Sequence, residues 1–137
     1  MTNKYSQFHD GFFDGIWIDD KVVHVYVRTL EGERFVAVAS DVASLSAGGF
    51  KAGNIIFDVV TRDQEDITGE DIVDLYDLRD GLAGEKQGAE LLATAHRAGL
   101  IILEISPSYG GSCIILARSV DLMTRNEWSQ HCSKHAN

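Results

Sequence analysis

The spacing of hydrophobic residues changes twice along this chain, and these changes limit the folds it can adopt. Residues 12–61 have strand-like patterns, residues 68–98 have helical spacing, and residues 100–118 return to strand-like runs. Alternating apolar residues suit a strand, whereas apolar residues three and four apart suit a helix. The order predicts an α+β fold with a mostly antiparallel sheet of about six strands, four and then two, with two helices inserted between strands 4 and 5.

The first half of the chain contains four predicted strands, at residues 12–18, 21–29, 34–40 and 55–61. In the second of them, Val23, Val25 and Val27 point to one face. The residues between them point to the other, which indicates one dry face and one mixed face. Residues 41–53 are small and glycine-rich and predict a loop, so the four strands are expected to form an antiparallel meander.

Two helices are predicted in the middle of the chain. Thr68 and Asp71 resemble a capping box with Asp in place of the usual Glu, and the first helix then ends near Gly81. Its apolar residues spread over one broad face, and the opposite stripe consists of Glu70, Asp74 and Asp77. The second helix covers residues 85–98 and stops at Gly99.

Two further strands are predicted at residues 100–106 and 112–118, joined by a turn at residues 107–111. In the remaining residues, Trp128 is able to dock a short helix on the core, whereas residues 129–137 are expected to be a frayed tail. No repeat or composition break divides the chain, so residues 1–137 are interpreted as a single domain.

The acidic residues are concentrated in one segment. Residues 58–85 hold ten acidic and two basic side chains, a net charge of −8, against −9 for the whole chain. A patch of one sign attracts oppositely charged partners, and it disfavours nucleic acid, whose phosphates are bound by Lys and Arg. We therefore expect a basic protein as a partner, and no nucleic acid.

The compartment is inferred from what the sequence lacks. The chain has no apolar leader, and none of its apolar runs approaches the roughly 18 residues of a membrane span. We expect a cytoplasmic protein without a membrane partner, and reduced thiols at Cys113 and Cys132.

Two sets of residues are candidates for a site. The acidic stripe Glu70, Asp74 and Asp77 is expected to bind a basic partner. The alternative is a pocket for a small ligand or for catalysis, lined by His24, Tyr26, Arg28 and Glu104, if their strands are neighbours. Tyr109, at the tip of the 107–111 turn, is a candidate contact anchor.

No motif for a cofactor or a metal rises above background. The nucleophile elbow Gly-x-Ser-x-Gly is absent. A calcium loop starting at Asp63 fails, because the required glycine comes one residue late, at Gly69. His131, Cys132 and His135 lack the second ligand cluster of a structural zinc site. We expect no metal, no cofactor and no catalytic residue.

The N-terminal half contains the motifs Phe8-His9-Asp10-Gly11, Gly15-Ile16-Trp17-Ile18 and Gly53-Asn54-Ile55-Ile56-Phe57-Asp58. This half resembles the opening of small uncharacterised bacterial domains, some of the toxin-immunity type. The matching positions are turns and strand residues, so no functional residue is carried over. The resemblance implies a role in binding a partner protein, not catalysis.

We interpret the chain as a non-enzymatic bacterial protein-binding module of the immunity-protein or regulatory-subunit type, with its acidic helix facing a basic partner. The first alternative is a small enzyme or small-ligand-binding protein that uses the pocket described above. A homodimer that pairs sheet edges or the helix face is compatible with either role, and an acidic surface that serves only solubility is the remaining reading.

Overall fold

The computed structural model describes residues 4–78 and 80–135, in which six antiparallel strands close into a barrel. The strands are β1 (Phe12–Asp19), β2 (Val22–Arg28), β3 (Arg34–Gly48), β4 (Ile55–Arg62), β5 (Ile101–Tyr109) and β6 (Ser112–Thr124). The α-helices of this region are α1 (Gly69–Tyr76), α2 (Leu82–Ala98) and α3 (Arg125–His135). The strand order around the barrel is β1-β2-β3-β6-β5-β4. The predicted α+β class and the antiparallel sheet of six strands are confirmed.

The interior of the barrel is filled by side chains from alternate positions of each strand. Val23, Val25 and Val27 of β2 are buried there, as the alternation predicts. The N-terminal segment closes one part of this core with Phe8, which lies in the 3₁₀ helix Ser6–Phe8. The Phe8 ring is fully buried and meets Phe35 edge to face, with the ring centroids 5.3 Å apart.

Strand β3 is much longer than the sequence predicts. It continues through Asp41 to Gly48 where a loop was expected, and it pairs with β6 along this whole length. Small residues conceal the alternation there, and β6 supplies the long partner strand that local propensity does not reveal. Asp41 has a positive φ of 51°, next to a register shift between Val42 and Ser44, so the strand bends without ending.

The expected meander is wrong for its fourth strand. Strand β4 pairs with β5 instead of β3, and it also meets β1 at the pair Phe12 and Ile55. Backbone hydrogen bonds from Ile56 N to Gly11 O and from Phe13 N to Asn54 O complete this contact. The barrel therefore closes between β4 and β1, a pairing set by backbone contacts distant in sequence.

Helices α1 and α2 lie between β4 and β5 along the chain and cover the outer face of β5 and β6. Thr68 and Asp71 form the predicted capping box at the start of α1. Ile72 and Leu75 of α1 pack with Ile102 and Leu116 from the strands, and all four are buried. Helix α2 ends at Gly99, whose φ of 67° is the left-handed conformation that glycine tolerates best.

Helix α3 follows β6, where the sequence allows a short helix docked by Trp128 in addition to the two predicted helices. It includes residues 129–135, which were expected to be a frayed tail; residues 136 and 137 lie outside the described residues. The helix is mostly polar, so its hydrophobic periodicity is weak. Its start does carry a signal, because Thr124 and Glu127 exchange the two hydrogen bonds of a capping box. Among the described residues, no helix combines the length and apolar character needed to cross a membrane.

Candidate functional site

Arg62 on β4 ties α1 to the outside of the barrel. Its guanidinium donates from Nη2 to Asp71 Oδ1 on α1, at 2.5 Å, and from Nη1 to Glu104 Oε1 on β5, at 2.6 Å. Burial is the largest single effect and lowers the pKa of Arg62, but the hydrogen bonds and charges of Glu104 and Asp71 together raise it above its usual value. Two carboxylates of the partly exposed outer surface are therefore already paired with a cation of this chain.

The acidic stripe lies on the surface of α1. Glu70 and Asp74 are exposed on the helix, and Asp77 is exposed at its C-terminal cap, where its φ of 49° ends the helix. Within residues 4–78 and 80–135, none of the three forms an ion pair. Their negative charges therefore face solvent without a fixed counter-charge from the described residues.

A groove with a volume of about 620 Å³ runs between α1 and α2. Its apolar surface comes from Val73 of α1, Leu78 of the connection, and Ala89 and Leu92 of α2, beside Gly84 and Gly88. Its acidic border comes from Glu70, Asp74, Asp80 and Glu85. The groove thus combines an apolar floor with carboxylates, two of which belong to the acidic stripe.

A second group of acidic residues lies apart from this groove. Asp63 is the N-cap residue of the 3₁₀ helix Gln64–Asp66, Glu65 and Asp66 lie within it, and all three line a separate depression with Gly99. The acidic segment is therefore divided between two locations, because the chain turns at Thr68 to start α1. Only the α1 location joins carboxylates to an apolar groove.

His24 is buried beneath α3 and is not open to solvent. Its side chain is only 5% exposed, Trp17 stacks on its ring at a centroid distance of 4.5 Å, and Trp128 Nε1 donates to its Nδ1 at 2.9 Å. Tyr26 lies next to it, with the Arg125 guanidinium 4.8 Å from the centre of its ring. This aromatic cluster is a packing site that holds α3 against the sheet.

The four residues of the alternative pocket are not brought together. Arg28 donates two hydrogen bonds to Asp14 on β1, at 2.7 and 3.0 Å. Glu104 on β5 is paired with Arg62, and β5 is not a neighbour of β2 in the barrel. A shared pocket would need β2 and β5 to be neighbours in the sheet. They are not, because β2 lies between β1 and β3 in the barrel.

Tyr109 is exposed at the end of β5, which continues through residues predicted as a turn. The turn itself is limited to Gly110 and Gly111 because Asn54 organises it: the Asn54 Oδ1 accepts hydrogen bonds from Gly111 N at 2.8 Å and Lys51 N at 2.7 Å. The Asn54 Nδ2 donates to Phe13 O on β1. Tyr109 thus projects from a fixed part of the sheet, outside the α1–α2 groove.

The histidine and cysteine side chains do not form a metal site or a reactive nucleophile among the described residues. In the described part of the chain, no three His, Cys, Asp or Glu side chains are grouped so as to hold a metal ion. His131 and Cys132 lie on α3, and the side chain of His135 is outside the described residues. Burial inside the barrel raises the pKa of the Cys113 thiol to about 12, which makes it a poor nucleophile at neutral pH.

Comparisons with family models, curated proteins and solved structures find no match to this chain. We therefore infer the function from the geometry and charge of the described residues.

The groove itself was not predicted, although its residues carry a sequence signal. Gly84, Gly88 and Leu92 are spaced four residues apart, with Ala89 beside them, so they share one face of α2. Small residues at the contact between two helices allow the helix axes to come closer together. The sequence pattern places the acidic stripe on α1 alone, whereas Asp80 and Glu85 reach the same groove from the other side.

Proposed function

We propose that this protein is a non-enzymatic binding module that uses the acidic face of α1 to hold a basic partner protein, in the manner of an immunity protein or a regulatory subunit. The observation that carries the proposal is the exposed acidic stripe, of which Glu70 and Asp74 border an apolar groove. Exposed charges attract a partner over a Debye length of about 8 Å at physiological salt. The adjoining apolar surface gives the same partner an area to bury.

The proposed binding face is preformed. The capping box holds the start of α1, Arg62 holds Asp71 against the barrel, and Ile72 is fully buried beneath the helix. A surface that is already ordered loses little conformational entropy when a partner binds. This rigidity supports recognition by complementary shape and charge, without a folding step.

The charge of the chain supports rapid association with a basic surface. Residues 58–85 carry a net charge of −8, and Asp71 is the member of this segment that pairs with Arg62. Electrostatic steering raises association rates by about 10-fold or more and weakens with salt. We therefore expect binding that is fast at low ionic strength and strongly sensitive to salt.

The small-ligand alternative has no comparable support. His24 is covered by α3, and Glu104 is engaged by Arg62 on another part of the barrel. We therefore do not propose a second function.

The experiment compares three immobilised proteins: the wild type, Glu70→Gln/Asp74→Asn/Asp77→Asn, and the control Asp63→Asn/Glu65→Gln/Asp66→Asn. Both variants remove three negative charges, but only the first alters the α1 stripe. Asn suits position 77 because it tolerates the left-handed conformation. Capture from cell extract at physiological salt, with protein identification, is followed by kinetics with the purified partner.

The expected partner is a basic protein that the wild type and the control retain and the α1 variant loses. With the purified partner, the α1 variant is expected to associate about 10-fold more slowly than the control. If both variants lost binding equally, the net charge of the protein, and not the position of the charges on α1, would explain the loss. Unchanged binding in both would remove the acidic stripe from any role in recognition.

A further inference from the structure

Small residues on one face of α2 form the floor of the α1–α2 groove. Gly84 and Ala89 give it little side-chain relief, and Leu92 continues the same face. Gly88 makes room for Leu78, whose Cδ1 would lie 3.2 Å from a Cβ at position 88. On the opposite wall, the Val73 side chain is 48% exposed, a large fraction for an apolar residue inside a groove. The small residues allow the axis of another helix to come close, and Val73 and Leu92 supply apolar surface for it to bury.

The walls of the groove are helices, which restricts the conformation of an occupant. The backbone N–H and C=O groups in the middle of α1 and α2 are bonded within each helix, so the walls offer no strand edge. An extended peptide on this floor would have backbone groups cut off from water and without partners. A helix bonds its own backbone and presents side chains alone, so a helix fits these walls better.

The charges around the groove restrict the composition of an occupant. Glu70 and Asp74 lie on the α1 side, and Asp80 and Glu85 lie on the other side. Residues 69–92 hold seven acidic and two basic side chains, a net charge of −5 with Arg79 included, although Arg79 itself lies outside the described residues. A helix that enters between two acidic borders is favoured if Lys or Arg flank its apolar ridge on both sides.

We propose that the α1–α2 groove receives one amphipathic helix of the partner, with an apolar ridge of small and aliphatic residues flanked by Lys and Arg. This inference rests on the proposed function and adds the conformation of the bound segment. Helix α2 has 17 residues and, at about 1.5 Å per residue, is about 25 Å long. A partner helix of about three turns would therefore lie along the groove within the length of α2.

The probe is a synthetic 16-residue peptide, acetyl-KALKKALKKLAKALKK-amide, whose Leu and Ala residues follow helical spacing. Two controls accompany it: a scrambled peptide of the same composition without that spacing, and the same peptide with Pro in place of its second and third alanines, which breaks the helix and keeps all the lysines. Affinity is measured by isothermal titration calorimetry with the whole protein. Amide chemical shifts locate the peptide on the surface.

Two variants separate the groove from the charge. Ala89→Trp fills the groove without changing any charge, and Ala93→Trp makes the same substitution at an exposed position of α2 outside it. We expect Ala89→Trp to weaken binding of the helical peptide about tenfold and Ala93→Trp by less than about twofold. The scrambled and proline peptides are expected to bind about tenfold more weakly than the helical one.

The outcomes distinguish the inference from the proposed function. Equal binding of helical and scrambled peptides, or equal effects of the two Trp variants, would overturn the helix-in-groove inference. In that case, loss of binding on neutralising Glu70, Asp74 and Asp77 would still support an acidic face for a basic partner. If neutralisation also left peptide binding unchanged, both proposals would fail.

Discussion

The indole Nε1 of Trp128 donates a hydrogen bond to Nδ1 of His24 across 2.9 Å, which connects the last helix to the second strand. Because Nδ1 accepts this bond, the neutral ring of His24 carries its proton on Nε2. A second proton on Nδ1 would remove the acceptor and place a positive charge in a position that is almost completely buried. The attachment of α3 therefore depends on His24 remaining neutral.

We predict that the stability of the protein falls as the pH drops below about 6.5, the ordinary pKa of histidine. Burial lowers the pKa of His24, while Asp19 raises it and His131 lowers it further. The unfolded chain then takes up the proton at a higher pH than the folded one. The contribution of His24 to stability is therefore complete above the unfolded pKa and is lost as the pH falls through the lower folded pKa.

Urea unfolding at about pH 8 and about pH 5 measures this loss, with His24→Asn as the matched control. The Asn side chain retains an acceptor near the position of Nδ1 but does not titrate. The control is expected to be less stable than the wild type at high pH, because it lacks the stacked ring, and to lose less stability on acidification. The same loss in both proteins would assign the pH dependence to other groups.

Replacing Trp128 by Phe should release α3 while the barrel stays folded. Phe keeps much of the apolar surface but has no donor, so the buried Nδ1 of His24 loses its partner at a cost of about 1 kcal/mol. Hydrogen exchange should become faster in Arg125–His135 than in the strands. Trp17→Phe changes the other aromatic ring on His24 without removing a hydrogen bond. If it loosens α3 as much, ring packing, not the hydrogen bond, holds the helix.

How far the sequence predicts this fold depends on whether the signal is local. The burial of Val23, Val25 and Val27 and the capping box of Thr68 follow from periods and motifs a few residues long. Closure of the barrel follows from the pairing of Phe12 with Ile55, whose flanking residues give no local indication of that register. The length of β3 likewise depends on β6, because its own small residues have little strand preference.

The same distinction applies to the candidate site. The spacing of Glu70, Asp74 and Asp77 shows from sequence that they share one side of a helix. The partner of Glu104 depends on tertiary structure. Arg62 reaches Glu104 diagonally across the β4–β5 pair, two residues beyond Val60, which lies directly opposite Glu104. His24, in contrast, is on a strand that does not pair with β5. The groove also needs tertiary information, because its walls come from two helices whose relative position local patterns do not specify.

Gly110→Ala is expected to destabilise the protein by about 2 kcal/mol, and Gly32→Ala by about 1 kcal/mol. Both glycines have positive φ, 84° for Gly110 and 96° for Gly32, so Ala strains the backbone at each. A Cβ at position 110 would also overlap the Asn54 Oδ1, whereas nothing lies within 4 Å of a Cβ at position 32. Urea unfolding measures the free energy of unfolding of each variant. If both variants were destabilised equally, Asn54 would be able to move away from a Cβ at position 110 without an energetic cost.

Arg62→Met tests whether the position of α1 or the total charge controls binding. The substitution leaves Asp71 and Glu104 without their cation, and we expect a loss of about 1–2 kcal/mol in stability, below the 3–5 of a fully buried pair because these side chains are partly exposed. It also makes the chain more negative, so charge alone predicts tighter binding of the basic helical peptide. We predict weaker binding, by about fivefold, because a loosened α1 must be ordered again when the peptide binds.

The control variant Arg97→Met removes the same charge from the end of α2 without touching α1, and it should bind the peptide at least as tightly as the wild type. Tighter binding by both variants, measured by titration calorimetry, would show that net charge controls recognition and that the rigidity of α1 does not.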